Sequence, residues 1–251
     1  MKAYGKLSTE FYDLDKPHPT EIMFNFYLAS ARQSGGPILE PMCGSGRFLL
    51  PLLAQGFDIT GVDSSPEMLA ACWRRAAQQS LNPELYKQRL NQLNLPRKYQ
   101  LAMIPGGSFG LLTDPAEALE SLRRIMASLV PGGLFVLDID QLDSNPELVS
   151  GEGERSVKRP DGTKILLRTS ATFNPDESIS YGVNRYDLVK NGIVVQTEVE
   201  TFNLRYYTPE LFSKLLLEAG FTHIQYQVGF TPHEPQPDTL VFICQRPADN
   251  R

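Results

Sequence analysis

The chain reads as an α/β protein of about seven mostly parallel strands with helices on both faces, plus an inserted antiparallel β-meander. Three observations predict this. Short apolar strands alternate with amphipathic helices as far as Asp138, the pattern of a largely parallel sheet covered on both sides. A glycine-rich turn, Gly44-Ser45-Gly46, joins the first such strand to a helix. Residues 152–204 then lose the helical period and fill with turn signals.

Residues 1–34 read as an N-terminal helical lid. Ile38-Leu39-Glu40 is a short strand ending in an acid, and beyond the glycine turn Phe48, Leu49, Leu50, Leu52 and Leu53 recur at helical spacing. Phe57 to Val62 forms a second strand with Asp63 at its tip. Three helix starts put a capping side chain before a proline: Ser65-Pro66-Glu67, Asp114-Pro115-Ala116-Glu117 and Thr208-Pro209-Glu210. Glu117 stands where a capping box places its acid. Met68, Leu69, Cys72 and Ala76 make one core-facing stripe; Leu119, Leu122, Ile125, Met126 and Leu129 make another. Arg74-Arg75 and Arg123-Arg124 fall on solvated helix faces.

Past Leu142, turns are marked at Pro160-Asp161-Gly162, Asn174-Pro175-Asp176 and Asn191-Gly192. The last, between Leu188-Val189 and Ile193-Val194-Val195, is a two-residue hairpin signal. Ile165, Leu167, Thr169, Ala171 and Phe173 alternate with Leu166, Arg168, Ser170 and Thr172, which gives a meander over residues 143–204. Residues 232–238 form a proline-rich loop before a final strand, Thr239 to Cys244.

The strand, glycine turn, helix, strand and acid of residues 38–69 are the Rossmann-like, doubly wound arrangement that grips a nucleoside cofactor. Two details choose the cofactor. The third glycine of a dinucleotide motif is replaced by Leu49, and Glu40 would repel a pyrophosphate in a partly desolvated pocket. S-adenosylmethionine has no phosphate and carries an ammonium and a sulfonium, which Glu40 favours. Gly44 and Gly46 let the backbone approach it, and Asp63 accepts hydrogen bonds from a ribose diol.

Residues 35–140 and 205–246 resemble the class I S-adenosylmethionine-dependent methyltransferases, in which an acid-x-x-x-Gly-x-Gly loop precedes a Gly-Val-Asp-x-Ser strand end. Pro131-Gly132-Gly133-Leu134-Phe135-Val136-Leu137-Asp138 looks like that family's turn into its fifth strand. Tyr207 to Leu211 and Leu216 to Phe221 look like its late helix and following strand. The resemblance implies a cofactor domain over residues 35–142 and 205–246, with the 143–204 insertion covering an acceptor pocket or pairing subunits of a monomer or homodimer. It also implies that Tyr12, Glu40, Cys43, Gly44, Gly46, Arg47, Asp63, Ser64, Met68, Leu90 and Pro105 hold the cofactor, with Tyr4 and Tyr12 closing over its methionyl end.

The chain departs from that family at Arg89, where an acid usually meets the adenine amino group. Arginine cannot accept a hydrogen bond, so adenine relies on Leu90, apolar contacts, Asn91 or Gln92. Gln100, in the fourth strand, stands where an aspartate is common. The polar-Pro-Pro-aromatic tetrapeptide of nucleobase amine methylation is replaced by Pro105-Gly106-Gly107-Ser108-Phe109, and no Pro-Cys nucleophile exists.

A net charge of −5 and a pI near 5.3 leave no electrostatic footprint for nucleic acid. Three cysteines without metal-ligand spacing point to free thiols in a reducing compartment, the cytoplasm. No apolar run reaches bilayer length, and residues 1–5 do not begin a signal peptide. Together these features predict methyl transfer by in-line displacement to a nitrogen or oxygen of a small soluble metabolite, with no metal. Alignment and exclusion of water supply much of the acceleration. Weak candidates for a catalytic group are Tyr12, His18 and Ser108; His223 falls in a strand and His233 in the proline-rich loop. Two other readings stay open on these residues: a methyltransferase-fold binding or scaffolding protein, motivated by Arg89 and Gln100, and a nicotinamide-dependent oxidoreductase.

Overall fold

The computed structural model describes residues 4–141, 150–231 and 238–249. Helices α1 (Lys6–Asp15) and α2 (Glu21–Ser34) lead into β1 (Ile38–Pro41), α3 (Leu49–Ala54), β2 (Ile59–Asp63), α4 (Pro66–Gln78), β3 (Glu84–Lys87) and β4 (Tyr99–Ile104). Then come α5 (Pro115–Ser128) and β5 (Leu129–Asp140), followed by β6 (Gly151–Lys158), β7 (Lys164–Asn174), β8 (Ile179–Lys190) and β9 (Ile193–Arg205). The chain ends with α6 (Pro209–Ala219), β10 (Thr222–Val228) and β11 (Thr239–Gln245). Single 3₁₀ turns lie at Leu90–Gln92 and Ser108–Leu111.

Seven strands form one sheet in the order β10-β11-β5-β4-β1-β2-β3. β11 runs antiparallel to both neighbours and the other contacts are parallel. Successive strand residues point to opposite faces, and the core divides accordingly. Leu39, Ala102, Ile104, Phe135, Leu137 and Phe242 pack against α5 and α6, whereas Ile38, Leu101, Met103, Val136 and Val241 pack against α2, α3 and α4. Burying each such large side chain contributes about 1.5–3 kcal/mol. All three capping residues act as read: Ser65 accepts from Met68 N–H, Asp114 from Glu117 N–H and Thr208 from Leu211 N–H.

The four strands β6-β7-β8-β9 form a separate antiparallel sheet. The hairpin turns at Asn191 (φ 52°) and Gly192 (φ 78°), the left-handed pair that a two-residue connection requires. Ile165 and Leu167 are buried on its inner face, where they meet Leu7 and Phe11 of α1. No helix among the described residues is long and apolar enough to cross a membrane.

Two details differ from the sequence reading, and a third is not described. Arg75 is not on a solvated face: its guanidinium donates to Asp13 (3.2 Å) and Ser45 Oγ (3.1 Å), stitching α4 to α1 and to the glycine turn. Pro131-Gly132-Gly133 lies within β5, where pairing to β4 jumps from Tyr99↔Leu129 to Leu101↔Leu134, so the turn is a bulge in the ladder. The loop at 232–237, with His233, lies outside the described residues.

Candidate functional site

Between β1 and β4 the strand order reverses, and the crevice this opens at the strands' carboxyl ends is where such sheets bind ligands. A cavity of about 320 Å³ lies there. It is lined by Tyr12, Glu40, Cys43, Gly44, Arg47, Asp63, Ser64, Met68, Leu90, Pro105 and Ser108 of the residues singled out above, together with Tyr4 and Arg89.

The glycine turn is built by backbone and charge together. Gly44 has φ 54° and Gly46 φ 81°, conformations that favour glycine. Gly44 N–H donates to Asp63 Oδ2 at 2.9 Å and Ser65 N–H to Asp63 Oδ1 at 2.8 Å. Asp63 therefore clamps the turn to the end of β2 and keeps its remaining lone pairs for a ligand. Burial raises its pKa, opposed by those N–H donors. Glu40 is 2% exposed and turned inward. Burial lifts its carboxyl well above the usual range, with Arg47 opposing and Asp63 adding to the rise. Glu40 Oε2 is buried with no hydrogen-bond partner, and so is Arg47 Nε. The Arg47 guanidinium lies 5.6 Å from the Tyr12 ring and 5.1 Å from the Phe48 ring.

Several expectations are corrected. His18 is exposed on the link between α1 and α2 and lines neither this cavity nor the one beneath the meander. His223 is likewise exposed, beside Thr222. Gly46 does not line the cavity, and a Cβ there would come within 2.6 Å of Cys72 Sγ, so glycine permits close packing beneath the turn. Gln100 is the second residue of β4, at the end away from the cavity, and packs on Gly36. Its departure from the family pattern does not touch the site. Asn91 and Gln92 do not line the cavity. The neighbouring Gln88 does, but its amide is engaged with the Asn94 backbone at 2.8 and 3.0 Å. Ser108 Oγ donates to Pro105 O (3.2 Å), a turn-stabilising bond at the cavity edge.

The sequence reading assigned no role to Asp138 and Tyr27. Asp138 is 3% exposed and accepts from Tyr27 OH (2.5 Å), Gly106 N–H (2.9 Å) and Gly107 N–H (2.7 Å), which fixes the loop after β4. The signal was present in an acid ending an apolar strand beside a Gly-Gly pair. A second cavity, about 450 Å³, lies between α1 and the inner face of the meander and shares Tyr4 and Tyr12 with the first. Helix α1 is held over both. Glu198 of β9 accepts from Leu7 N–H (3.1 Å) and Ser8 N–H (3.2 Å), Glu200 accepts from Tyr4 N–H (2.9 Å), and Ser65 Oγ donates to Tyr4 O (3.0 Å).

Residues 38–133 match the model of a methyltransferase domain. A Geobacillus sp. (strain WCH70) protein, provisionally named a methyltransferase, is 26% identical over 234 residues, 86% of each chain. A glycine/sarcosine N-methyltransferase of Parasynechococcus marenigrum (strain WH8102) is 24% identical over 227 residues, 88% of this chain and 76% of that one. Among solved structures, a Clostridium acetobutylicum S-adenosylmethionine-dependent methyltransferase superposes with a TM-score of 0.78 at 17% identity, covering 97% of this chain and 98% of that one. A sugar N-methyltransferase of Streptoalloteichus sp. gives 0.75 at 20% identity, with coverage of 98% and 97%; these two likenesses carry the fold. Residues 38–133 thus carry a methyltransferase-domain match, and the chain as a whole shares the fold of solved S-adenosylmethionine-dependent methyltransferases.

Proposed function

We propose that the chain is an S-adenosylmethionine-dependent methyltransferase that moves a methyl group to a nitrogen or oxygen atom of a small soluble metabolite by in-line displacement. The cofactor occupies the 320 Å³ cavity, and the acceptor arrives from the chamber beneath the meander. The observation that carries this reading is the pair of unpartnered atoms, Glu40 Oε2 and Arg47 Nε, in one buried cavity beside the glycine turn. An orphaned acid and an orphaned base suit the ammonium and carboxylate of a methionyl group, and no phosphate. When bound, S-adenosylmethionine supplies an electrophilic methyl carbon on a positively charged sulfur.

The protein's own residues then have separable tasks. Asp63 and Ser64 take the ribose, Cys43, Met68 and Leu90 wall the nucleoside, and Pro105 with Tyr12 closes the methionyl end. Burial raises the Cys43 thiol well above its ordinary range, so it stays a neutral wall and not a nucleophile. Residues 35–142 and 205–246 act as the cofactor domain, 1–34 as a lid and 143–204 as the cover of the acceptor chamber, which also offers a surface for a homodimer. The names of the glycine/sarcosine and sugar N-methyltransferases support a small polar acceptor. Three buried free cysteines support action in the cytoplasm.

Calorimetry with S-adenosylhomocysteine tests the proposal. Binding to the parent protein and its loss in folded Gly44→Val support it. A folded parent protein that does not bind the nucleoside sinks it.

A further inference from the structure

The chamber beneath the meander has a floor laid out in rows by strand register. Gly151, Ala171 and Gly182 stand side by side on β6, β7 and β8, and Gly153, Thr169 and Asn184 form the next row. All six line the chamber. The glycines and the alanine carry nothing beyond Cβ, so side chains rise from this floor only at Thr169 and Asn184. The first row ends on β9 at Phe202, whose ring meets Tyr4 edge-on with centroids 6.5 Å apart. Tyr4 also lines the cofactor cavity, so the floor runs up to that cavity's wall.

Asn184 is the buried polar group of the floor, 9% exposed. Its neighbours fix how its amide is turned. Tyr186 OH donates its one proton to Glu200 Oε1 at 3.3 Å, and Glu200 Oε2 accepts from Tyr4 N–H at 2.9 Å. The Tyr186 oxygen can then only accept, which places Asn184 Nδ2 toward it at 3.5 Å, the outer limit of a hydrogen bond. Asn184 Oδ1 makes no hydrogen bond among the described residues. A buried carbonyl without a donor is costly, and the chamber is where the donor can come from. Its cross-strand partner is in a similar state: Thr169 Oγ1 gives its proton to Gly153 O at 3.4 Å and keeps its lone pairs.

Three ligand classes fit this floor badly. A carboxylate would meet no buried cation: Lys16 and Arg155, the chamber's two cations, are exposed, and Arg155 is paired to Asp15 at 2.9 Å. A hydrocarbon ring would cover Asn184 Oδ1 without supplying a donor. Glycine would leave most of the volume, about 450 Å³, empty, since chambers of this size take larger ligands. A ring bearing several hydroxyls meets all three conditions. Cross-strand partners hold their Cβ atoms about 4.5–5.5 Å apart, a spacing that two hydroxyls of one ring can span.

We propose that Asn184 and Thr169 each accept a hydrogen bond from a hydroxyl of the acceptor, and that the acceptor is a neutral polyhydroxylated ring, a hexose or its glycoside, lying on the small-residue floor. This rests on the methyltransferase reading above and deepens it, naming the acceptor's class and the residue that selects it.

The test uses full-length ¹⁵N-labelled protein saturated with S-adenosylhomocysteine, with the methyl pyranosides of glucose, galactose and mannose as probes and glycine as the contrast. At least one pyranoside should shift the Thr169 and Asn184 amide resonances and bind at least about tenfold more tightly than glycine. Asn184→Leu, close in size but without the carbonyl, should weaken that binding by about 10–100-fold, and Asn184→Gln should restore part of it. Both variants should keep the parent's affinity for S-adenosylhomocysteine. Ala171→Met fills the floor without touching the amide and should abolish pyranoside binding, which decides the matter if Asn184→Leu does not fold. Binding of none of the pyranosides, glycine binding as well as they do, or pyranoside affinity that survives Asn184→Leu or Ala171→Met would overturn the proposal. Failure of the parent to bind S-adenosylhomocysteine would instead overturn the methyltransferase reading.

Discussion

The two cavities flanking α1 are assembled by opposite means. The cofactor cavity takes its chemistry from short contiguous runs: Glu40 to Arg47 and Asp63 to Met68 supply the acid, the turn, the clamp and a wall. The meander chamber draws on residues from Tyr4 to Tyr206, brought together by α1 and four strands. The first is held by bonds between neighbours on adjacent parallel strands. The second depends on contacts spanning about the whole chain, such as Glu198 to Leu7. A site of the first kind resists loosening of the lid, and one of the second kind does not.

The largest effect should come from the clamp. Asp63→Ala leaves Gly44 and Ser65 N–H without their acceptor. Each charge-assisted bond is worth about 1.5–3 kcal/mol, so S-adenosylhomocysteine affinity should fall by at least about a hundredfold in calorimetry. Near-parental affinity would mean the turn is rigid without its clamp.

Glu40→Gln should separate stability from binding. Burial holds the Glu40 carboxyl above its ordinary range, so the folded chain binds that proton more tightly than the unfolded chain. Stability is then lost as pH rises from the unfolded value through the folded one. Glutamine removes the penalty. The free variant should gain about 1–2 kcal/mol at neutral pH, a rise in Tm of about 2–8 °C at this size. Its affinity for S-adenosylhomocysteine should drop by about 10–100-fold. In the parent protein affinity should weaken as pH falls, because protonated Glu40 no longer attracts an ammonium. A variant that melts lower and binds as the parent does would show Glu40 to be structural.

This contrast also explains what could be read in advance. The sheet, the meander, the three capped helices and most residues lining the cavity at the glycine turn were legible, because each rests on local periodicity or a short motif. Arg75 was misread because helix periodicity shows which face a residue occupies and not what docks on that face; Asp13 and Ser45 do. Gln100 was placed in the right strand, but its distance from the cavity could not be read, because that depends on tertiary pairing, here Ile38↔Leu101. Asp138 stood in plain view at the end of a strand. Its role depends on Tyr27, Gly106 and Gly107, which lie 31–111 residues away.

Glu198→Ala probes the long-range side of the comparison. It removes the acceptor for two N–H groups at the start of α1, a capping loss of about 1–2 kcal/mol. Proteolysis within the first turn of α1 should accelerate, and S-adenosylhomocysteine should dissociate about 3–10-fold faster in stopped flow. An unchanged dissociation rate would show that the lid does not govern the cofactor cavity.

The smallest effect should be a gain. Arg89 lines the cavity beside Leu90 and cannot accept from an adenine amino group. It is exposed, so replacing it desolvates little and strains nothing. Arg89→Asp supplies the missing acceptor at a surface where such a bond nets about 0.5–1.5 kcal/mol, or roughly 2–10-fold in affinity for S-adenosylhomocysteine. The same substitution should leave an analogue lacking the amino group unaffected, since purine stacking on Leu90 is unchanged. Equal gains for both nucleosides would mean that Arg89 acts through charge and not through the base edge. The adenine edge would then lie away from the turn after β3, and the cofactor cavity would be less locally determined than the clamp around Gly44 makes it.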